Sequence, residues 1–400
     1  MDNFFQLKIT PRDVLFFRDA KPMEGSWVGQ GCNWPQGGTL HGAFLAALQR
    51  SYKIAPGDFS TFGNLRTIGP FPQKDDAKGN SEMYYPTPMD LLPDGSRLIP
   101  SSFNGENNLP APLKKVLKST ASPTKKAVPQ WLSQSQYRAY LDGKTFHEDE
   151  LRNPDLYRPE ARPGIAINQQ TRSTEKGKFY SAEYLRFEHD TGMSAFVRLD
   201  DERMGMIEDL FRNGTLSFQM GGQQCCVYAS MVKKTDPVSF FSISNDSVSD
   251  KVKWILLTPA CWKNGWCPDF VDMESGRVML KSGIDKLERL PGELREQWRT
   301  RKATLPDIDA TLVAARVGSA QLLTGWKMGD KKQRSGGPRA VRFLVPAGSV
   351  FYFETSGQQE SLKLISALTG KFFSITGGEY GYGLGVCAPY IDDTSYNTNQ

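Results

Sequence analysis

The segment TGGEYGYGLG (Thr376 to Gly385) concentrates more recognition chemistry than any other in the chain. Glycine recurs at Gly377, Gly378, Gly381, Gly383 and Gly385, with Glu379, Tyr380 and Tyr382 between. Glycines this dense permit positive φ and leave backbone N–H groups uncovered, so a phosphate or a second backbone can come close. The tyrosines add flat faces on which bases stack. Bare amides beside aromatics are what a single-stranded nucleic acid needs. No Lys-Ser or Lys-Thr follows the glycines, which excludes a nucleotide P-loop. A tight turn between core strands would use the same residues, and the segment alone leaves both readings open.

Basic side chains elsewhere have the same double reading. Arg18 ends the apolar run VLFFR and precedes Asp19 and Lys21. A guanidinium at a strand end can grip phosphate bidentately or stack on a base; it can equally pair with Asp19 or Glu24. Phe16 and Phe17 are of the type found on RNA-recognition sheets, but a buried strand would place both in the core. His41 opens a helix beside Gly42, where phosphate is attracted and an imidazole can hydrogen-bond RNA or simply cap and pack. Arg172 and Lys178 fall at the tip of an expected hairpin. Lys327, Lys331, Lys332, Arg334 and Arg339 surround a glycine-rich loop that is either a phosphate site or free surface. Lys114, Lys115, Lys118, Lys125 and Lys126 make a third basic run, with solvated loop as the default.

The 400-residue chain is long enough for two domains, and 39% apolar residues suffice to build their cores. Its net charge is only +5, so a nucleic-acid surface must come from local clustering. Cys32, Cys225, Cys226, Cys261, Cys267 and Cys387 contain no C-x-x-C pair and read as buried thiols. His41, His147 and His189 lie far apart, so neither a metal nor another cofactor is expected. MDNFFQLKITPRD has neither the charged nor the apolar region of a signal peptide, and no run reaches transmembrane length, which predicts a cytoplasmic protein.

The elements follow from periodicity. FFQLKI (Phe4 to Ile9) and VLFFR (Val14 to Arg18) read as strands. Leu40, Phe44, Leu48 and Tyr52 mark a helix with Thr39 as its expected N-cap. Residues from about 71 to 160, rich in proline and lysine, read as a long, partly mobile insertion with some helix near 130–140. Arg162 to Phe187 suggests a projecting hairpin with a polar tip at Arg172 to Lys178. SAFVRLD and QCCVYASMV are strands around a short helix, MIEDLFRNG. In the second half KWILLTPA is a strand containing Trp254, Asp285 to Arg301 has helical bias, and AVRFLVPAGSVFYFE is two strands. Leu362 to Leu368 is a helix stopped by Gly370. Trp262 and Trp266 bracket a turn and suit either a partner subunit or internal packing. Each half therefore runs in the split βαβ order of a ferredoxin-like domain.

ITPRDVLFFRDAKPM, WPQGGTLHGAFLAAL, RPGIAINQQTR, LLTPA, TGWKM, VPAGSVFYFE and GGEYGYGLG occur in that order. Together they resemble the RAMP superfamily of CRISPR proteins, specifically the subunit of type III-B (Cmr) effector complexes that holds the 5′ end of the guide RNA. The resemblance spans nearly the whole chain and is weakest over 71–160. It implies an α+β fold of two ferredoxin-like (RRM-like) domains with a β-hairpin thumb. The N-terminal domain would cover 1–235, with the insertion at about 71–160 and the hairpin at about 162–187. The C-terminal domain would cover 236–400, with the glycine loop at 376–385. It also implies a non-catalytic subunit that binds the 5′ tag of the guide and meets target RNA only indirectly. Its partners would be the large polymerase-like subunit and the first backbone subunit. Arg18, Lys21, His41, Arg172, Lys178, Lys327, Arg339, Gly378, Tyr380, Gly381, Tyr382 and Gly383 are the expected RNA contacts. The competing reading is a metal-independent endoribonuclease that cuts CRISPR repeat RNA with His41 as general base, since RAMP processing enzymes use a histidine near this region.

Overall fold

The computed structural model describes residues 4–18, 28–29, 34–55, 58, 60–103, 108–119, 122, 124–200, 202–284, 287, 289–327 and 336–392. Strand β1 (Phe4–Pro11) is followed by helix α1 (Gly37–Ser51), β2 (Arg66–Asp75), β3 (Ser81–Pro86) and β4 (Trp131–Ser133). Then come α2 (Gln134–Leu141), the hairpin β5 (Tyr157–Ile167) and β6 (Thr174–Phe187), β7 (Thr191–Arg198), α3 (Met204–Phe211), β8 (Thr215–Gln219) and β9 (Cys226–Thr235). The second half supplies β10 (Lys251–Leu256), α4 (Arg295–Ala303), β11 (Ala310–Arg316), β12 (Val350–Thr355), α5 (Gln358–Leu368) and β13 (Gly385–Pro389).

A seven-stranded sheet runs β8-β9-β1-β7-β2-β3-β4, and a four-stranded sheet runs β11-β12-β10-β13. In β9-β1-β7-β2 and in β13-β10-β12-β11 alike, neighbours run antiparallel and the strands stand fourth, first, third, second by order of appearance. That is the ferredoxin-like order expected from the α+β reading. Alternation decides which face each residue serves. Phe5, Leu7 and Ile9 of β1 pack outward with Phe44 and Leu48 of α1 and Ile207 of α3. Trp254 and Phe351 of the smaller sheet pack outward with Leu364 and Leu368 of α5. The intervening residues, including Phe4, Ile68 and Phe196 from one sheet and Ile255, Tyr352 and Val386 from the other, form a single core between the sheets. Phe16 and Phe17 are both buried, as expected, although the strand expected over Val14 to Arg18 covers only Val14–Leu15.

The 71–160 segment is not the loose insertion its composition suggests. β3 and β4 extend the large sheet, and Tyr85, Leu91, Leu132, Tyr137 and Tyr140 are buried in the central core. Its prolines are accommodated within strands as well as at turns, Pro72 being buried within β2, and its lysines find carboxylates: Lys115 pairs with Glu354 and Asp392, and Lys126 with Glu148. The expected helix near 130–140 is α2, held by a capping box between Ser133 and Gln136.

At the centre of this core lies a buried ion pair. Lys253 Nζ is 2.8 Å from Asp90 Oδ2, and both side chains are at most 2% exposed. Tyr352 donates to the same oxygen at 2.9 Å, and Tyr140 to the other. Burial opposes ionisation of Asp90, but the Lys253 charge and these hydrogen bonds outweigh it and hold the carboxyl below its usual range. Burial pulls Lys253 down to about 8, so the pair stays ionised at neutral pH.

The hairpin β5–β6 begins at Tyr157 and pairs through Phe187, longer than the 162–187 expected. Its turn is Asn168 to Ser173, shaped by Asn168 Oδ1 accepting from the Gln170 and Thr171 amides at 2.9 and 3.1 Å. Glu160, Arg162, Arg186 and Asp13 brace its base as an ion-pair cluster, and Trp34 packs on Tyr157 and Phe187.

The glycine segment 377–385 closes the seam between the sheets. Gly383, at φ +78°, donates its N–H to the Pro259 carbonyl at 2.8 Å, and a Cβ there would meet the Phe373 carbonyl oxygen at 2.2 Å. Gly381 packs over Thr67 and Ile68 of β2, and Thr258 Oγ1 donates to its carbonyl at 2.7 Å. These contacts join β2 to the strand that leaves β10.

Two stability outcomes follow. Lys253→Met leaves a buried carboxylate without its counter-charge and should cost about 3–5 kcal/mol in urea unfolding; Asp90→Asn combined with Lys253→Met should recover most of that. Gly383→Ala should lower the urea midpoint by roughly 1–3 kcal/mol equivalent or more, while Gly378→Ala, whose added Cβ meets nothing within 4 Å, should leave it unchanged.

Candidate nucleic-acid interface

Helix α1 points its first turn at the glycine segment. The helix starts at Gly37, and its N-cap is Gln36, in extended conformation and without a side-chain cap bond. Thr39, the expected cap, lies inside the first turn, because the Gly37-Gly38 pair already has helical geometry. Gln36 instead sends its side-chain amide to the Leu322 carbonyl at 3.2 Å. The N-cap side chain accepts from none of the first amides of α1, at the positive end of the helix; the Thr39 amide donates to the Gln36 carbonyl at 2.9 Å, and the Gly38 amide faces the Tyr382 phenol. A Cβ on Gly37 would lie 2.7 Å from the Tyr380 carbonyl oxygen, so only glycine lets the segment come this close.

His41 stands one turn further along. Its Nδ1 is 3.3 Å from Thr67 Oγ1, and its ring centroid is 4.8 Å from that of Tyr380. Burial drops its pKa to about 4, only partly offset by Glu379. The imidazole is therefore neutral at pH 7. Tyr380 is half-buried and meets Tyr382 edge-on at 5.8 Å. Tyr382 is only 1% exposed, packed with Cys261 and Leu344, and burial pushes its phenol up to about 12.

This divides the expected loop contacts. Gly381, Tyr382 and Gly383 are buried by the chain's own packing, which leaves Tyr382 no face for a base. Gly378, Glu379, Tyr380 and His41 line the open rim beside the α1 N-terminus. The excursion between β11 and β12 adjoins this rim. In it Gln321–Leu323 pairs with Arg342–Leu344 and Trp326–Lys327 with Gly337–Pro338. Leu344 packs on Tyr382, and Leu323 and Tyr380 pack around them. Arg339 is exposed there, its amide bonded to the Gly325 carbonyl at 2.8 Å. Lys327 lies in the paired strand, but its side chain is outside the described residues, as are Lys331, Lys332 and Arg334.

The other expected contacts lie apart. Arg18 is exposed three residues beyond the short strand Val14–Leu15, and Lys21, Asp19 and Glu24 are outside the described residues. Arg172 occupies the hairpin turn at φ +51°, exposed, and no contact among the described residues links it to the rim. Lys178 falls within β6 and not at the tip, at an irregularity between Thr174 and Phe179; its side chain is not described. Trp262 is buried, donating to the Phe373 carbonyl at 2.7 Å, which is internal packing. Cys261, Cys267 and Cys387 are buried, whereas Cys225 and Cys226 are half-buried. Among the described residues no group of three or more His, Cys, Asp or Glu could hold a metal ion, and no helix is long and apolar enough to cross a membrane.

Comparison with known proteins bears on identity. Among solved structures, the type III-B Cmr-beta complex bound to cognate target RNA contains a chain 13% identical, with coverage of 87% of this chain and 86% of that one and a TM-score of 0.42. The Csm3–Csm4 subcomplex of the type III-A interference complex contains one 9% identical, covering 97% and 99%, at a TM-score of 0.41. The Csm1–Csm4 cassette in complex with pppApA gives 14% identity, 89% and 88% coverage and a TM-score of 0.34. No curated protein matches the chain. The family model described as CRISPR-associated protein (Cas_Cmr3) matches residues 7–386, from within β1 to within β13. The likeness carried by the ordered motifs is thereby borne out, and the chain belongs to the Cas_Cmr3 family of CRISPR-associated proteins.

Proposed function

We propose that the chain is a non-catalytic, RNA-holding subunit of a type III CRISPR effector ribonucleoprotein, with the 5′ tag of the guide RNA as its ligand. The observation that carries this reading is the open rim where the uncapped start of α1 meets the His41–Tyr380 pair. Uncapped amides at the positive end of a helix suit phosphate. A neutral imidazole suits a base edge or a ribose 2′-hydroxyl, and the half-exposed Tyr380 ring suits a base face. Arg339 and, further off, Arg18 and Arg172 would hold phosphates along the strand. The same subunit would bridge the large polymerase-like subunit to the first backbone subunit.

A histidine titrating near 4 is a weak general base at neutral pH, where efficient catalysis wants a pKa close to the working pH. That argues against endonucleolytic cutting of repeat RNA by His41.

Assembled complexes should retain guides bearing the 5′ tag and lose guides with a scrambled tag; equal retention of both would sink tag recognition. His41→Ala and Tyr380→Ala should each weaken tag binding about tenfold, on the scale of one stacked base or one buried contact. Because the folded-state pKa lies below the ordinary 6.5, His41 stays neutral down to pH 5. Its contribution to RNA affinity should therefore be flat from pH 7.5 to about 5.5 when wild type is compared with His41→Ala. A His41-dependent gain centred near 6.5 would show a charged phosphate clamp instead. The same shift makes the unfolded chain bind the extra proton, so folding stability should fall as pH drops from about 6.5 to 4.

A further inference from the structure

The chain's net charge of +5 is mild and hides a strong asymmetry. Residues 316–344 contain Arg316, Lys327, Lys331, Lys332, Arg334, Arg339 and Arg342 against a single acid, Asp330, a net +6. The remaining chain is then 5 − 6 = −1. All of the excess positive charge belongs to the excursion between β11 and β12.

That excursion also exposes apolar side chains. Leu322 and Phe343 are direct cross-strand partners, and they are 43% and 64% exposed. Val341, just before the strand that carries Phe343, is 55% exposed. Leu344, on the other face, is fully buried against Tyr382. The ribbon is anchored by one face and presents a bare aromatic on the other. Arg342, which immediately precedes Phe343, and Arg339, four residues before it, are exposed, and among the described residues no carboxylate pairs with either. A phenylalanine this exposed on a two-stranded ribbon gains nothing from its own fold.

We propose that this outer face is a stacking platform for single-stranded RNA, with Phe343 under a base, Leu322 and the adjoining Val341 widening the apolar floor, and Arg339 and Arg342, exposed beside the face rather than on it, reaching the neighbouring phosphates. This rests on the RNA-holding reading above and deepens it by adding a second base-contact site beside the His41–Tyr380 rim. The charge selects the occupant. An exposed aromatic among unpaired arginines matches a polyanion whose every unit carries a flat face, and arginine adds stacking of its own. The platform joins the rim through the Gln36–Leu322 hydrogen bond and through the Cys261–Leu344–Tyr382 cluster on which both Leu323 and Tyr380 pack, so one strand can run across both.

The test uses the full chain with a fluorescein-labelled single-stranded RNA, read by anisotropy across a salt series. Phe343→Ala should weaken binding about tenfold and leave the salt slope unchanged, and Phe343→Trp should restore affinity. Arg339→Gln and Arg342→Gln should each flatten the slope of log K against log salt by about 0.7. Iodouridine-substituted RNA should photocrosslink to Phe343. Since Phe343 is mostly solvent-exposed, the thermal melt of Phe343→Ala should match wild type, which separates a binding loss from misfolding. Wild-type affinity in Phe343→Ala together with no adduct at Phe343 would overturn the proposal. Should that variant instead lose a neighbouring subunit on purification of the complex, the face docks protein and the proposal is equally wrong. If the wild-type chain neither binds single strands nor helps retain guide, the RNA-holding reading itself fails; if only Phe343→Ala is silent, that reading stands and the platform alone falls.

Discussion

The relative placement of the two sheets depends on the ion pair between Lys253 and Asp90, because it is buried at their shared core and satisfied from three directions. Lys253 and Tyr352 come from the small sheet, Tyr140 from α2, and Asp90 from the segment after β3. An apolar replacement of equal volume would be as stable or more so, since desolvating two charges cancels most of their attraction. What the pair adds is registry. A shift of α2 or of the Asp90 segment along the small sheet would strand a buried carboxylate, and that penalty exceeds any gain from slightly better apolar packing. The core between the sheets is otherwise built of interchangeable aliphatic and aromatic groups, which resist separation but not sliding.

The glycine segment solves the complementary problem at the edge of the same seam. There the chain must cross close to β2 and the start of α1 at once, and the space left at Gly37 and Gly383 is smaller than a methyl group requires. The same closeness determines which groups remain for binding. Tyr382 is consumed in sealing the seam, while Tyr380, only two residues earlier, keeps part of its ring open beside His41. The neutrality of His41 has the same origin: the packing that brings Thr67 and Tyr380 onto its ring also removes the water a charged imidazole would need.

Much of this was legible in the sequence where the cause is local. The alternation in β1, β7 and β10 marks their two buried faces, and the spacing of Leu364 and Leu368 marks α5. Phe16, Phe17 and Trp254 were placed in the core by the same logic. The 71–160 segment was misread because its prolines and lysines dominate every local window. Tyr85, Tyr137 and Tyr140 complete their burial through contacts with residues more than a hundred positions away, such as Phe241 and Lys253. The start of α1 was misplaced for a related reason. Thr39 has the better capping side chain, but the Gly37-Gly38 pair can enter the helix because the distant Tyr380 carbonyl fills the space a Cβ would occupy. The glycine segment was legible as a place of close approach, though not as to what approaches it.

Charge was the least legible feature, because a whole-chain total averages away what matters. Surface charges act over about 10 Å at ordinary ionic strength, so +5 spread over 400 residues would attract no polyanion strongly. The same surplus falling within one stretch of sequence, 316–344, is the kind of local clustering that a polyanion requires. On the RNA-holding reading proposed above, such a separation would let the chain hold RNA at one edge and fit among other chains at the others, where a uniformly basic surface would bind nucleic acid everywhere and fix it nowhere. The buried base of the ribbon is what makes the separation useful. Leu344 is packed against the glycine segment that seals the seam, so the exposed Arg339 and Arg342 sit beside a junction whose position both sheets determine.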